Sequence, residues 1–515
     1  MKRKHVWLSV CLLVLTMAAT VRADVRLPAV FADHMVLQRE TEVPVWGWAN
    51  AGETVSVEIA GQKKTAASDE SGKWKLSLDS MPAGGPYEMT VSGKNSLTLQ
   101  DVLVGEVWLC SGQSNMAFSL NGAEGGQEEI DLPEDPELRL FFVQQDTSQT
   151  PLEDTTEGHW SLSTPDAKRY ASAVGYFFGK RLREELGVPV ALIKSSVGGT
   201  PADSWTSREA LQAGFEPILD RYTQAVPENY EVAYAKYQDD VAAWRLADQE
   251  ARAAGKERPA KIREPVGPNN KQAPVGLFNG MIHPLIPYAI RGAIWYQGEA
   301  NAGRADQYSR LLPAMITDWR ARWGYDFPFG VVQLVNFYER KDEPGEASAW
   351  AELREAQVKT IATVPNAGLA VGIDVGEANN IHPKDKKTIG NRLALWAFAT
   401  VYGKDIEYSG PVYREMKKES NKIRLFFDHV GGGLVVKNAD QLKRFAITGE
   451  DKVFHWADAR IDGDTIVVSS EAVPDPVAVR YAWGNNPEAT LYNQAGLPAS
   501  PFRTDDWPGI TTGRE

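Results

Sequence analysis

The 515-residue chain has few of the residues that most directly reveal chemistry. It carries only two Cys, Cys11 and Cys110, and seven His. A disulfide-built scaffold is therefore excluded, and few positions could supply an imidazole base or a soft metal ligand. There is no His-Glu-x-x-His, no paired Cys-x-x-Cys, no phosphate-binding loop and no Gly-x-Gly-x-x-Gly after a strand. No metal and no cofactor are expected on that ground. Positive charge is also in deficit, with 55 Lys plus Arg against 68 Asp plus Glu and a net charge of −13. Such a surface repels phosphate backbones and anionic lipid, so nucleic acid is not an expected partner. The remainder is ordinary globular composition, 43% hydrophobic and 24% charged, which excludes disorder, collagen and coiled coil as the main state. Tryptophan alone is abundant, with 16 residues. That surplus reads first as core and only secondarily as a sugar-stacking surface.

The N-terminus reads as a secretory signal over residues 1–23. Lys2, Arg3 and Lys4 form a basic start, Val6 to Ala19 is apolar but short for a bilayer span, and Val21-Arg22-Ala23 fits a small-x-small cleavage site. Cys11 lacks the small residues before it that a lipid-modified site requires. The expected mature chain begins at Asp24 and is exported, to the periplasm or outside the cell. Removal of Lys2, Arg3, Lys4 and Arg22 takes the basic count to 51 against 68 acidic residues, a balance of −17. Only Cys110 remains, so no intrachain disulfide can form. No later segment approaches 18 apolar residues, so no membrane insertion of the mature chain is expected.

Residues 24–100 read as a β domain, with Val43-Pro-Val-Trp-Gly-Trp, Thr54-Val-Ser-Val-Glu-Ile and Lys73-Trp-Lys-Leu-Ser-Leu separated by Gly- and Pro-bearing turns. From 101 to 404 strands and helices alternate. The strand candidates are Val102–Cys110, Leu138–Val143, Val188–Lys194, Ile290–Tyr296, Phe327–Leu334 and Leu369–Asp374. The helix candidates are Ala171–Leu186, Gln307–Trp323, Trp350–Ala362 and Thr388–Tyr402. Alternation of this kind implies an α/β fold with a doubly wound parallel sheet. A helical, charged insertion interrupts it at 205–275. Residues 405–515 return to short strands, a C-terminal β-rich region.

Candidate chemistry gathers at the predicted strand ends. Ser114 follows a strand through Gly112, where open α/β sheets bind ligands, although a Ser there also serves as a helix N-cap. Gly198 and Gly199 follow the next strand and could present backbone N–H groups to an oxyanion. Gln297, Glu299 and Asn301 crowd a third strand end. They suit either oxyanion donors or, at Glu299, a glycosidase acid/base. His382 lies in a strand-to-helix loop, where an imidazole could activate a serine. His34 and His455 lie in β regions, His159 and His429 in loops, and His283 is the one close rival.

Together, Gly112-Gln-Ser-Asn-Met, Ser196-Val-Gly-Gly-Thr-Pro, Trp295-Tyr-Gln-Gly-Glu and Ile381-His-Pro resemble the blocks of the SGNH-type hydrolases. More narrowly, they resemble the sialate O-acetylesterase family of carbohydrate esterases. Asp33-His-Met-Val-Leu-Gln-Arg and Asn279-Gly-Met-Ile-His-Pro-Leu extend the likeness over most of the chain. The resemblance implies a flavodoxin-like α/β/α sandwich with accessory β-sandwich regions at both ends. It also implies a serine esterase, sialate 9-O-acetylesterase-like, that releases acetate from an acetylated carbohydrate, with acetylated hemicellulose (xylan or xyloglucan) as the alternative substrate. It implies Ser114 as nucleophile and His382 as base, with an oxyanion hole from the Ser114 N–H, a Gly of the 198–199 pair and Gln297. Many relatives carry Asp three residues before the His; here that position is Asn379. Asp374 or Glu377 is left as the expected orienter, with a backbone carbonyl as the alternative. A sialic acid carboxylate would need a cation, for which Arg304 is the candidate, although an ion pair would occupy it as well. The acidic surface makes a neutral acetylated glycan such as xylan or xyloglucan easier to accommodate. A glycosidase using Glu299 and a non-catalytic sugar-binding protein remain the competing classes.

Overall fold

A computed structural model describes residues 24–155 and 157–515; the expected signal segment lies outside the described residues. Residues 96–112 form one 17-residue strand on which the molecule is organised. Its second half, from residue 102 to 112, is buried without interruption, as expected for a strand covered on both faces. It lies in a sheet ordered Ala367–Ala370, Phe329–Val332, Gly292–Tyr296, Ser96–Gly112, Val190–Ser196, Leu138–Phe142 and His159–Leu162. Every neighbouring pair is parallel except the last, where His159–Leu162 runs antiparallel on Leu138–Phe142. The Ser96–Gly112 strand is thus flanked on one side by strands from residues 138–196 and on the other by strands from residues 292–370. Its C-terminal end is a topological switch point, the place where such sheets form a crevice.

Helices Ala173–Leu186, Ala305–Trp323, Ala349–Thr363 and Lys387–Thr400 cover the sheet. Ser172 caps the first by accepting from the Gly175 N–H, and Gly187 in the left-handed region ends it. Trp108, Trp205, Trp295, Trp319 and Trp396 are all fully buried, so much of the tryptophan surplus is core. The 205–275 stretch is helical as far as Ala253, its longest helix running Tyr230–Ala253, and residues 256–275 carry no helix.

The first half of the long strand belongs to the N-terminal β region. The long strand pairs antiparallel with Gly84–Ser92 through residues 96–104 and in parallel with Val36–Gln38 through residues 103–105. The two regions share this strand without a break at residue 100. Val43–Trp48 and Lys73–Leu78 form a second, two-stranded sheet, with Trp74, Leu76 and Leu78 alternating inward. At the other end of the chain two four-stranded antiparallel sheets enclose a separate core around Ile423, Leu425, Ile447 and Val479. Fully buried Arg354 ties that region to the central sheet by donating to the carbonyls of Leu334, Val335, Gly484 and Asn485. Three strands differ most from the sequence expectation. The central one is longer, at Ser96–Gly112, and Phe329–Val332 is shorter than the expected Phe327–Leu334. The last core strand spans Ala367–Ala370, and the chain has already turned at Asp374.

Candidate active site

Register brings the site together. Gly112 is level with Ser196 on one neighbour and with Tyr296 on the other. Three strands therefore end in one plane, and the residues just after them, Ser114, Gly198 and Gln297, meet above it. Gly112 has φ +133°, and a Cβ there would lie 2.3 Å from the Tyr296 carbonyl oxygen, so only glycine fits the turn. The Gln113 side chain accepts from the Gly298 and Ala300 N–H groups at 3.3 and 3.2 Å, locking the 112 and 297 loops together.

His382 reaches this point from the loop before the Lys387–Thr400 helix. Its Nε2 lies 2.7 Å from Ser114 Oγ, a hydrogen bond between residues 268 apart in sequence. Asn380 shapes the loop by accepting from the His382 N–H at 3.0 Å. Burial lowers the His382 pKa below its ordinary 6.5, and the nearby Lys386 cation adds to the effect. A depressed value keeps the imidazole neutral, the form that can accept the serine proton.

Neither carboxylate expected as orienter touches the imidazole. Asp374 is held by Arg392 at 2.6 and 2.8 Å and by the Tyr492 hydroxyl at 3.1 Å. Burial pushes its pKa up, but the Arg392 hydrogen bonds and charge outweigh this and hold it below 3.8. Glu377 accepts from the Lys384 N–H and from Asn380. Among the described residues His382 Nδ1 has no hydrogen-bond partner, so serine and histidine stand as a dyad.

A polar unit, of which sequence reasoning singled out only Glu299, braces the dyad from beneath. Asn115, fully buried, donates to the Ile381 carbonyl at 3.0 Å and to Glu299 at 2.5 Å, and accepts from Lys386 Nζ at 2.6 Å. It thus links the residue after Ser114 to the residue before His382. Glu299 Oε2 is buried without a partner, and burial raises the Glu299 pKa. Burial also pushes Lys386 down to about 7. Lys386 Nζ lies 4.8 Å from the centre of the Phe118 ring, which in turn faces His382. Asn115 was visible within the Gly-Gln-Ser-Asn block. Lys386 sits in the run Lys384-Asp-Lys-Lys, which by pattern is a solvated charge cluster, and nothing local marks it as buried.

A Cβ on Gly198 would stand 3.4 Å from Ser114 Cβ, so its backbone borders Ser114, and its N–H has no partner among the described residues. Gly199, at φ +75°, faces outward toward Lys271. Gln297 is fully buried, and its amide hydrogens go to Asn301 Oδ1 at 2.7 Å and the Thr200 carbonyl at 3.3 Å. Reversing the amide would set oxygen against oxygen at both contacts, so Gln297 has no hydrogen left for an oxyanion here. Asn301 is fixed by the Ala202 N–H and Asp203. Arg304 pairs with Asp203 at 2.8 Å and also bonds Gln307, so it is not a free cation. Among the described residues no cluster of three His, Cys, Asp or Glu could hold a metal ion, and no helix is long and apolar enough to cross a membrane.

Comparison with known proteins agrees with this architecture. The family model described as carbohydrate esterase, sialic acid-specific acetylesterase matches residues 104–236 and 278–398. These spans contain Ser114, Gly198, Gln297 and His382. A crystal structure of a carbohydrate acetylesterase from Xanthomonas citri is 39% identical, with a TM-score of 0.80 over 94% of this chain and 100% of that one. The fold and site thus define a carboxylic-ester hydrolase. Mouse sialate O-acetylesterase is 32% identical over 91% of this chain and 92% of its own length, and the human enzyme is 30% identical over 93% and 92%. The chain belongs to the sialate O-acetylesterase family of carbohydrate esterases.

Proposed function

We propose that this protein hydrolyses O-acetyl esters on sugars through an acetyl-serine intermediate. The observation that carries the reading is the 2.7 Å contact between Ser114 Oγ and His382 Nε2 at the switch point of the sheet. Ser114 attacks the acetyl carbonyl as His382 takes its proton. The tetrahedral oxyanion sits between the N–H groups of Ser114 and Gly198. His382 then returns the proton to the sugar oxygen, which leaves, and water repeats the steps to release acetate. With no carboxylate on Nδ1, the imidazole is oriented by its loop, through Asn380 at its own N–H and Asn115 at the preceding carbonyl.

The acetylated sugar is a neutral hemicellulose-type glycan in this reading rather than sialic acid. Support comes from Arg304, which is engaged by Asp203 and unavailable to a sialate carboxylate, and from the net charge of −13. Export belongs to the same proposal, supported by the basic, apolar and small-residue succession over residues 1–23.

The test is acetate release from acetylated xylan, acetylated xyloglucan and O-acetylated sialosides by the wild type, Ser114→Ala and His382→Ala. Loss of turnover in both variants and preference for a neutral glycan are expected. Turnover near wild type in either variant overturns the mechanism, and preference for sialosides overturns the substrate.

A further inference from the structure

A second cavity lies away from the dyad, between the N-terminal β region and the loops of the α/β layer. Its volume is about 430 Å³, within the ~300–1,000 Å³ range of small-molecule pockets, and none of its lining residues contacts Ser114 or His382. One wall is the strand pair Val43–Trp48 and Lys73–Leu78; the other carries Glu153, His283, Ile286 and Pro287.

The register of the strand pair decides what the first wall presents. Trp46 is opposite Lys75 and Trp48 opposite Lys73, so these four side chains share one face of the ribbon. Gly47 lies between the two tryptophans and is paired with Trp74, whose ring fills the other face of the ribbon. The Trp74 indole is 2% exposed and its N–H has no partner. Arg26 lies 3.8 Å over one face of the Trp48 ring and fixes that indole before any ligand arrives. The Trp48 N–H reaches Glu153 at 3.4 Å, and Glu153 is ion-paired with Lys73. His283 Nδ1 is bonded to the Leu152 carbonyl at 2.8 Å, which leaves Nε2 as an acceptor if Nδ1 carries the proton. Lys75 has no ion-pair or hydrogen-bond partner among the described residues.

We propose that this cavity is a second carbohydrate-binding site, which holds a pyranose unit of a glycan chain against the Trp46–Trp48 face while the esterase site works elsewhere on the same polymer. The class of ligand follows from the mixture on the walls. Pre-fixed indoles suit the C–H face of a sugar ring, and His283, Glu153 and Lys75 beside them suit its hydroxyls. A lipid pocket would not be lined by two lysines, Glu153 and Asp69. A second contact on one polymer raises the effective concentration of esters at the dyad without any new catalytic group. The choice of a glycan rests on the proposed function; the existence of the site rests on the cavity alone.

Affinity electrophoresis of the full chain through gels holding chemically deacetylated xylan, deacetylated xyloglucan or a polymer of sialic acid tests this. Deacetylated polymers offer the dyad no ester, so retardation reports binding separately from catalysis. Retardation of the wild type and of Ser114→Ala by at least one polymer is expected. Trp48→Ala and Lys75→Glu should weaken it about tenfold while turnover of a soluble aryl acetate stays unchanged. Their thermal melts separate a lost site from a lost fold. Absence of retardation by all the polymers, its loss in Ser114→Ala, or its persistence in folded Trp48→Ala each overturns the second site. Failure of the proposed function shows differently, as no acetate release from any acetylated glycan.

Discussion

Replacing Asn115 by leucine tests whether the dyad depends on the buried unit beneath it. Leucine nearly conserves the volume and removes three hydrogen bonds at once, to Ile381, Glu299 and Lys386. Two of these involve ionisable partners, worth about 1.5–3 kcal/mol each, and the third is a neutral bond of about 1 kcal/mol. Part of that is recovered because Glu299, its pKa already raised by burial, can take up a proton. The net loss of stability should be about 3–5 kcal/mol, as for other buried ionic groups deprived of one partner. Freeing Ile381 also frees His382, and a displacement of about 1 Å at a catalytic group costs on the order of 10²-fold in turnover. Urea denaturation and steady-state hydrolysis of an aryl acetate measure the two effects, and the second should fall on kcat more than on KM. Adding Lys386→Met removes the orphaned ammonium and should return part of the stability without returning kcat. A stability loss under about 1 kcal/mol with kcat within about threefold of wild type would refute the bracing role.

Other consequences follow from the same geometry. The acid limb of kcat/KM should have its midpoint below 6.5, because the His382 pKa is lowered; Lys386→Met removes a neighbouring cation and should move that midpoint up. A midpoint that stays or falls in the variant contradicts the electrostatic account. Lys386 titrates at about 7 when folded and at 10.5 when free, so between those values the unfolded chain binds the extra proton and stability rises with pH. Denaturation measured across that window should show the Lys386 contribution to the slope vanish in Lys386→Met, and an unchanged slope counts against a buried amine. Asp374→Asn should lower stability by about 1.5–3 kcal/mol through loss of the Arg392 pair while kcat changes little. A kcat fall of about 10³ or more would instead make Asp374 an orienter. Gly112→Ala forces a Cβ against the Tyr296 carbonyl at positive φ and should cost about 2–4 kcal/mol by thermal melting, whereas a neutral result would refute the tight turn.

Much of this was legible without coordinates. The alternation of buried strands with amphipathic helices is a local pattern, and the helix predicted over Ala171–Leu186 forms over Ala173–Leu186. Ser114 and His382 could be singled out because each follows a strand end, where a parallel sheet opens. What failed were statements about partners. Asp374 or Glu377 was expected beside the imidazole, with a backbone carbonyl as the alternative. The strand before Asp374 instead ends at Ala370 and the turn delivers its carboxylate to Arg392, while Glu377 is taken by Lys384 and Asn380. Gln297 and Arg304 were chosen by residue type and location, yet Asn301 and Asp203 had claimed them. Lys386 looked like one more surface lysine.

Composition and periodicity therefore determined the layers of this protein, the strand ends that matter and the residue types placed there. These properties depend on neighbours within a turn or two of chain. Which of those side chains touch was decided only by the tertiary structure. The dyad joins residues 268 apart, and its bracing unit joins Asn115 to residues 184 and 271 positions away. Such contacts are set by the register of three parallel strands and by which buried polar groups satisfy one another, neither of which leaves a mark on local spacing.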